Sequence, residues 1–186
     1  MIALKEWAIA VEALVEGEQI IILRKGGIHE ETRQFALKSN YFMLFPAFEH
    51  QKEQLVQPAY QERLKSLREK GMSDPLPVLA CAEVVREWLI NDINLIEKLA
   101  PFHIWNEQMV EMRLHWKKTQ PLHVIALRVF RLDQAELLKE PQSYAGCKSW
   151  FELPFEENEF HTRLTQVISE EMLQNKIVKI DELLKS

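Results

Sequence analysis

Two apolar runs open the pattern of hydrophobic and polar positions. Trp7–Leu14 holds one charge, Glu12, and Gln19–Lys25 is rich in isoleucine, with Gly17 between them. Two such runs around a short glycine-containing loop predict a β-hairpin. Both faces of each run are largely apolar, which predicts a place inside the sheet rather than at its edge. Tyr41–Phe48 predicts a third strand, dense in aromatic residues and stopped by Pro46. Pro58–Lys70 predicts a helix: Pro58 suits the first turn, Tyr60, Leu64 and Leu67 share a face, and Gly71 follows as a stop.

Val78–Ile90 predicts a long strand, although its Ala and Glu content leaves a helix open. Asn94 and Glu97 have the spacing of a capping box, and Pro101 closes that short helix. Trp105, Met109, Met112 and Trp116 fall at helical spacing. Leu122–Leu132 and Lys148–Leu153 predict two more strands. Phe160, Leu164, Val167, Ile168 and Met172 predict a C-terminal helix over about 157–174. The expectation is a single α+β domain over 1–186. Its sheet is mixed or mostly antiparallel, with about six strands and three or four helices, because helices and strands do not alternate strictly.

Composition changes this picture little. The chain has 186 residues, is 47% hydrophobic and carries a net charge of -5, so no global attraction to nucleic acid or anionic membrane is expected. Charge is uneven: Pro101–Arg131 is locally +3 and Phe151–Asn175 locally -5. Cys81 and Cys147 form no framework or CxxC motif and suit a reducing compartment. The charged N-terminus and the lack of a long apolar run predict a cytoplasmic protein with no membrane partner.

Four groups of residues are candidates for chemistry. In Arg24-Lys25-Gly26-Gly27-Ile28-His29-Glu30, two glycines let the backbone present N–H groups to an anion, and two cations stand beside them. A turn with solvated charges is the alternative. Glu49-His50-Gln51 at a strand end is a place for a general base or a ligand, or for a turn that satisfies backbone groups. Glu12, Arg24, Glu83 and Arg128 each interrupt an apolar run, so an internal Arg–Glu pair or a polar pocket is expected. Tyr144-Ala145-Gly146-Cys147-Lys148-Ser149-Trp150 places a thiol at a strand start, more consistent with an inert cysteine than a catalytic one. Core packing is the favoured reading of Trp105.

Absences narrow the field. The chain has no [DE]-x-K, no GxSxG, no HExxH and no P-loop spacing, and its six histidines are scattered. No cofactor or metal is readable from spacing.

The ordered segments Leu4–Ala8, Leu23–Glu30, Leu44–Pro46 with Glu49–Gln51, His103–Trp105, Leu127–Val129 and Tyr144–Trp150 resemble the bacterial family catalogued as domain of unknown function 1802. The resemblance spans about residues 3 to 153. It implies one module and no established activity. Ala47 stands where the family pattern implies a small hydroxyl residue. More loosely, the strand Ala80–Arg86, a helical excursion and a strand around Arg128 are similar to PUA-like and EVE-like barrels, which bind RNA or modified bases.

The leading functional expectation is a module that binds or processes nucleic acid or a nucleotide-like anion. Arg24, Lys25, Gly26 and Gly27 hold phosphate in it, Arg128 is a pocket charge, and Trp7, Trp105 or Trp150 stacks on a base. The alternatives are a hydrolase of phosphate esters using His29, Glu30, Glu49 and His50, and a protein-interaction module without catalysis.

Overall fold

A computed structural model describes residues 1–25, 39–116, 120–146, 148–155 and 164–185. The chain is α+β, with a mixed, mostly antiparallel sheet. Its strands are β1 (Ile2–Trp7), β2 (Ile21–Arg24), β3 (Tyr41–Ala47), β4 (Leu76–Ile90), β5 (Leu122–Leu138), β6 (Trp150–Glu152) and β7 (Leu164–Gln166). Its helices are α1 (Ala8–Val15), α2 (Pro58–Lys70), α3 (Ile93–Glu97), α4 (Glu107–His115) and α5 (Glu170–Lys185). The strands run in the order β2-β5-β4-β3-β1-β6, and β7 pairs with the second half of β5. Only β1 and β3 are parallel among the paired strands described. The long β4–β5 ladder shifts register at Val78/Ala80 and Val84/Arg86. Such irregularities bend a sheet and increase its twist.

Alternate residues face different cores. Leu4, Phe42, Leu44, Ala80, Ala82 and Leu127 pack with Val11 and Leu14 of α1. Their neighbours Ala3, Met43, Phe45 and Cys81 pack on the other side with Leu132 and Leu153. Burial on both faces explains why these strands read as unbroken apolar runs. A third core gathers Ile21, Leu23, Val124 and Ala126 with Trp105, Met109 and Val110, and with Leu173, Ile177 and Ile180 of α5.

Pro58–Lys70, the strand in Gln19–Lys25 and the strand in Val78–Ile90 stand where the pattern puts them. Four expectations are corrected. Trp7–Leu14 is not a strand of a hairpin but mostly helix α1, seven of whose eight residues are buried. A helix buried all round has no polar stripe, so a short apolar run mimics a strand; Ala8, Ala10 and Ala13 are the residues that favour the helix. Pro46 does not stop β3, which continues to Ala47. At that level β3 pairs only with β1, β4 having ended its pairing at Met43, so one edge tolerates a missing N–H. The first turn of α3 is capped by Asp92, whose Oδ1 accepts from the Asn94 amide at 3.0 Å, rather than by Asn94. Of the helix expected over 157–174, the described residues 164–169 are not helical. Leu164–Gln166 is strand, and the helix runs from Glu170 to Lys185 with Met172 on its exposed side.

The two ends of the sheet approach each other. β2 pairs with β5 at one end of the path, and β1 lies next to the other end. Arg24 of β2 nevertheless forms an ion pair with Glu6 of β1 at 3.3 Å and donates to the Lys5 carbonyl at 3.3 Å. Side chains therefore span a seam that backbone pairing leaves open among the described residues.

Candidate functional site

The seam holds a concavity. The β1–β6 ladder ends at Leu4 and Trp150, and one further bond follows it, from the Lys5 amide to the Ser149 carbonyl at 2.8 Å. Beyond this point Lys5, Glu6 and Trp7 border a space of about 170 Å³. Arg24, Ala47, Glu49, His50, Arg113, Gly146, Lys148 and Ser149 complete its wall.

Glu6 is 3% exposed. Its carboxylate accepts from the Trp7 amide at 3.0 Å and pairs with Arg24. A buried carboxylate requires such partners, because its desolvation is otherwise uncompensated. Arg113 reaches in from α4, and its Nη1 donates to the Leu23 carbonyl at 2.9 Å. Burial lowers the Arg113 pKa; Glu6 acts against that shift and Arg24 adds to it. An arginine starts so high that its guanidinium stays charged near neutrality.

Lys5 holds the opposite wall. Its Nζ donates to the carbonyls of Tyr144 (2.5 Å) and Gly146 (2.9 Å). It also stands over the rings of Phe45 and Phe151, at 5.7 and 5.5 Å from their centroids. The turn it tethers needs a glycine, since Gly146 has φ +102°. Trp7 packs edge-on against buried Trp105, with ring centroids 5.2 Å apart.

The Glu49-His50-Gln51 triplet divides its work. Gln51 is buried, and its Oε1 accepts from the Ile9 amide at 3.2 Å in the first turn of α1. That bond fixes the helix that follows Trp7. Glu49 and His50 face the concavity, with His50 exposed in the left-handed region at φ +59°.

Of the residues expected to act together, Arg24, Glu49 and His50 meet at this concavity, and Trp7 borders it as well. Gly26, Gly27, His29 and Glu30 lie outside the described residues. Lys25 does not face the site: its Nζ bonds the Leu114 carbonyl in the last turn of α4, where orphan carbonyls attract a cation. Burial lowers its pKa. Arg128 is not a pocket charge here. It grips Glu170 through Nε and Nη2 (2.9 and 2.8 Å) and Glu83 through Nη1 (2.5 Å), joining the start of α5 to the sheet. Trp150 is 6% exposed and lies edge-on to Phe42 at 5.1 Å, so its face is not offered to a ligand. All four charges that interrupt apolar runs are ion-paired: Arg24 with Glu6, Glu12 with Arg63, and Glu83 with Arg128. Cys81 is buried 2.8 Å from the Tyr41 hydroxyl, and burial raises its pKa. Cys147 lies outside the described residues.

Sequence reasoning missed Lys5, Glu6 and Arg113 as site residues, and took in Lys148 and Ser149 only as neighbours of the Cys147 thiol. Four of these five lie in segments that carried the family resemblance. For Arg113 the only signal was the local excess of cations in Pro101–Arg131.

A larger concavity of about 620 Å³ lies elsewhere, between α1, the end of α2 and the bulged part of the β4–β5 ladder. It is mainly apolar, and of the candidate residues only Glu12 lines it. Glu12 and Glu16 on its rim are paired with Arg63. Size favours this groove, but charge and aromatic chemistry favour the smaller site, and chemistry is the better guide to an anion ligand. Among the described residues, no group of three His, Cys, Asp or Glu is placed to hold a metal ion. No described helix is long and apolar enough to cross a membrane.

A model of the family "Domain of unknown function (DUF1802)" matches residues 3–177. No curated protein matches the chain. Solved structures similar to it include ASCH from Zymomonas mobilis, at 13% identity and a TM-score of 0.44, covering 96% of this chain and 93% of that one. A serine-to-alanine mutant of that protein aligns at 13% identity and a TM-score of 0.46, covering 96% and 94%. A tyrosine-to-phenylalanine mutant aligns at 14% and 0.45, covering 96% of both chains.

Proposed function

The chain belongs to the DUF1802 family, and we propose that it is a binding module for a nucleic acid or nucleotide-like anion, held at the seam concavity. One observation carries this reading: Lys5, Arg24, Arg113 and Lys148, from four separate segments, converge on one small space that Trp7 also borders. Guanidinium and ammonium groups bind phosphate oxygens by charge-assisted hydrogen bonds. An indole beside them suits the planar base attached to that phosphate. Binding of RNA, DNA and nucleotides at low salt is the test, because phosphate contacts are strongest there. Affinity that falls with salt, and falls again in Lys148→Gln, supports the proposal. No binding of any of the three at low salt defeats it.

A second reading has its own support. Glu49 and His50 line the same space, so a bound phosphate ester lies beside a carboxylate and an imidazole, the groups that serve as general base and acid. Hydrolysis predicts release of phosphate by the wild type and its loss in His50→Gln with binding retained. Binding without turnover leaves the first reading alone.

A further inference from the structure

We propose that the concavity takes a terminal phosphomonoester, the phosphorylated end of a strand or nucleotide, in preference to an internal phosphodiester. The inference rests on the anion-binding reading above and narrows it.

Charge is the first argument. The described lining holds four cations (Lys5, Arg24, Arg113, Lys148) and two carboxylates (Glu6, Glu49), a formal balance of +2 with His50 neutral. A phosphomonoester carries about -1.5 to -2 at neutral pH. A diester carries one negative charge per phosphate. The monoester therefore brings the site near neutrality, and the diester leaves a cation uncompensated.

Shape is the second. A space of about 170 Å³ is well below the ~300 Å³ at which pockets begin to enclose a drug-sized ligand. It admits a phosphate and part of the attached sugar. An internal phosphate has a nucleoside on both sides, and both must find room around so small a space. A terminal phosphate has one substituent to place.

Donor supply is the third. A guanidinium has five N–H donors in a planar fork. Arg113 uses Nη1 on the Leu23 carbonyl, and among the described residues its Nε and Nη2 bond no other group. Lys148 is exposed at the rim. A monoester has three non-bridging oxygens to meet these donors, where a diester has two.

The test is equilibrium binding, at one ionic strength, of a labelled six-residue oligoadenylate bearing a 5′-phosphate, a 3′-phosphate or neither. Adenosine 5′-monophosphate and adenosine 3′,5′-cyclic monophosphate serve as competitors, the second being a diester. One phosphorylated form is expected to bind roughly tenfold tighter than the unphosphorylated strand, as gain of a charge-assisted contact implies. The monophosphate is expected to compete better than the cyclic diester. Lys148→Gln, at an exposed position, and Arg113→Gln, checked for folding by circular dichroism, are each expected to shrink the difference. Equal affinity for the three strands, or equal competition by the two nucleotides, overturns the monoester inference and leaves the broader anion reading intact. No binding of any strand or nucleotide defeats both.

Discussion

His103 is a neutral ring in a dry place. It is 4% exposed, and its Nδ1 accepts from the Trp105 amide at 3.2 Å, so the proton of the neutral ring sits on Nε2. Burial lowers its pKa from 6.5 to about 4. Between these values the unfolded chain binds a proton that the folded chain does not. Stability from this group is therefore full above pH 6.5 and declines as pH falls towards 4, by up to about 3 kcal/mol. Urea denaturation at pH 7.5 and 4.5 measures the loss, and His103→Gln is expected to flatten the slope. His50 poses a different question. Its φ of +59° is costly for a side chain with a Cβ, so His50→Gly should keep or slightly raise the melting temperature. Weaker nucleotide binding in that same variant would mark the imidazole as functional. At this scale Arg24, Glu49 and His50 were legible, because polar groups beside strand ends stand out. Glu6 and Arg113 were not, since a residue's pairing across a seam leaves no mark in its own neighbourhood.

The elements divide along similar lines. α2 was readable from its first-turn proline, its apolar face and its terminal glycine. α1 was not, because tertiary burial removed the periodicity that distinguishes helix from strand. β7 misled for the opposite reason: Leu164, Val167 and Ile168 have helical spacing, but Leu164 pairs with Leu132 in the sheet. The turn that follows α1 gives a sharp prediction. Gly17 has φ +74°, and a Cβ there would stand 2.7 Å from Cγ2 of Ile168. Gly17→Ala should therefore cost more than about 1 kcal/mol, read as a fall in the denaturation midpoint. The clash couples this turn to the segment entering α5, where Arg128 binds Glu170 and Glu83. Hydrogen bonds from Arg128, then Gln174, lower the Glu170 pKa to about 2, which keeps that arm of the clamp charged below the usual carboxylate range.

At the scale of the whole molecule, fold class was legible and topology was not. The apolar runs and the irregular order of helices among strands give a mixed sheet. Nothing local says that β1 runs parallel to β3, or that Arg24 meets Glu6 across the sheet's open seam. That ion pair is nearly dry, with side chains 10% and 2% exposed. Glu6→Ala would leave Arg24 and Arg113 close together without their carboxylate. Removing one partner of a buried pair typically costs about 3–5 kcal/mol. Urea denaturation of Glu6→Ala measures it, and Glu6→Gln, which keeps the shape and an acceptor, is expected to lose less.

The seam has one more consequence. Its two rims come from residues as far apart in the chain as Lys5 and Lys148, so the concavity does not survive unfolding. A molecule bound there is captured by the native state alone. At a hundred times its dissociation constant it adds about 2.7 kcal/mol to the work of unfolding. Melting curves recorded against a panel of small phosphates thus become a search for the natural ligand, one that requires neither a label nor a known reaction.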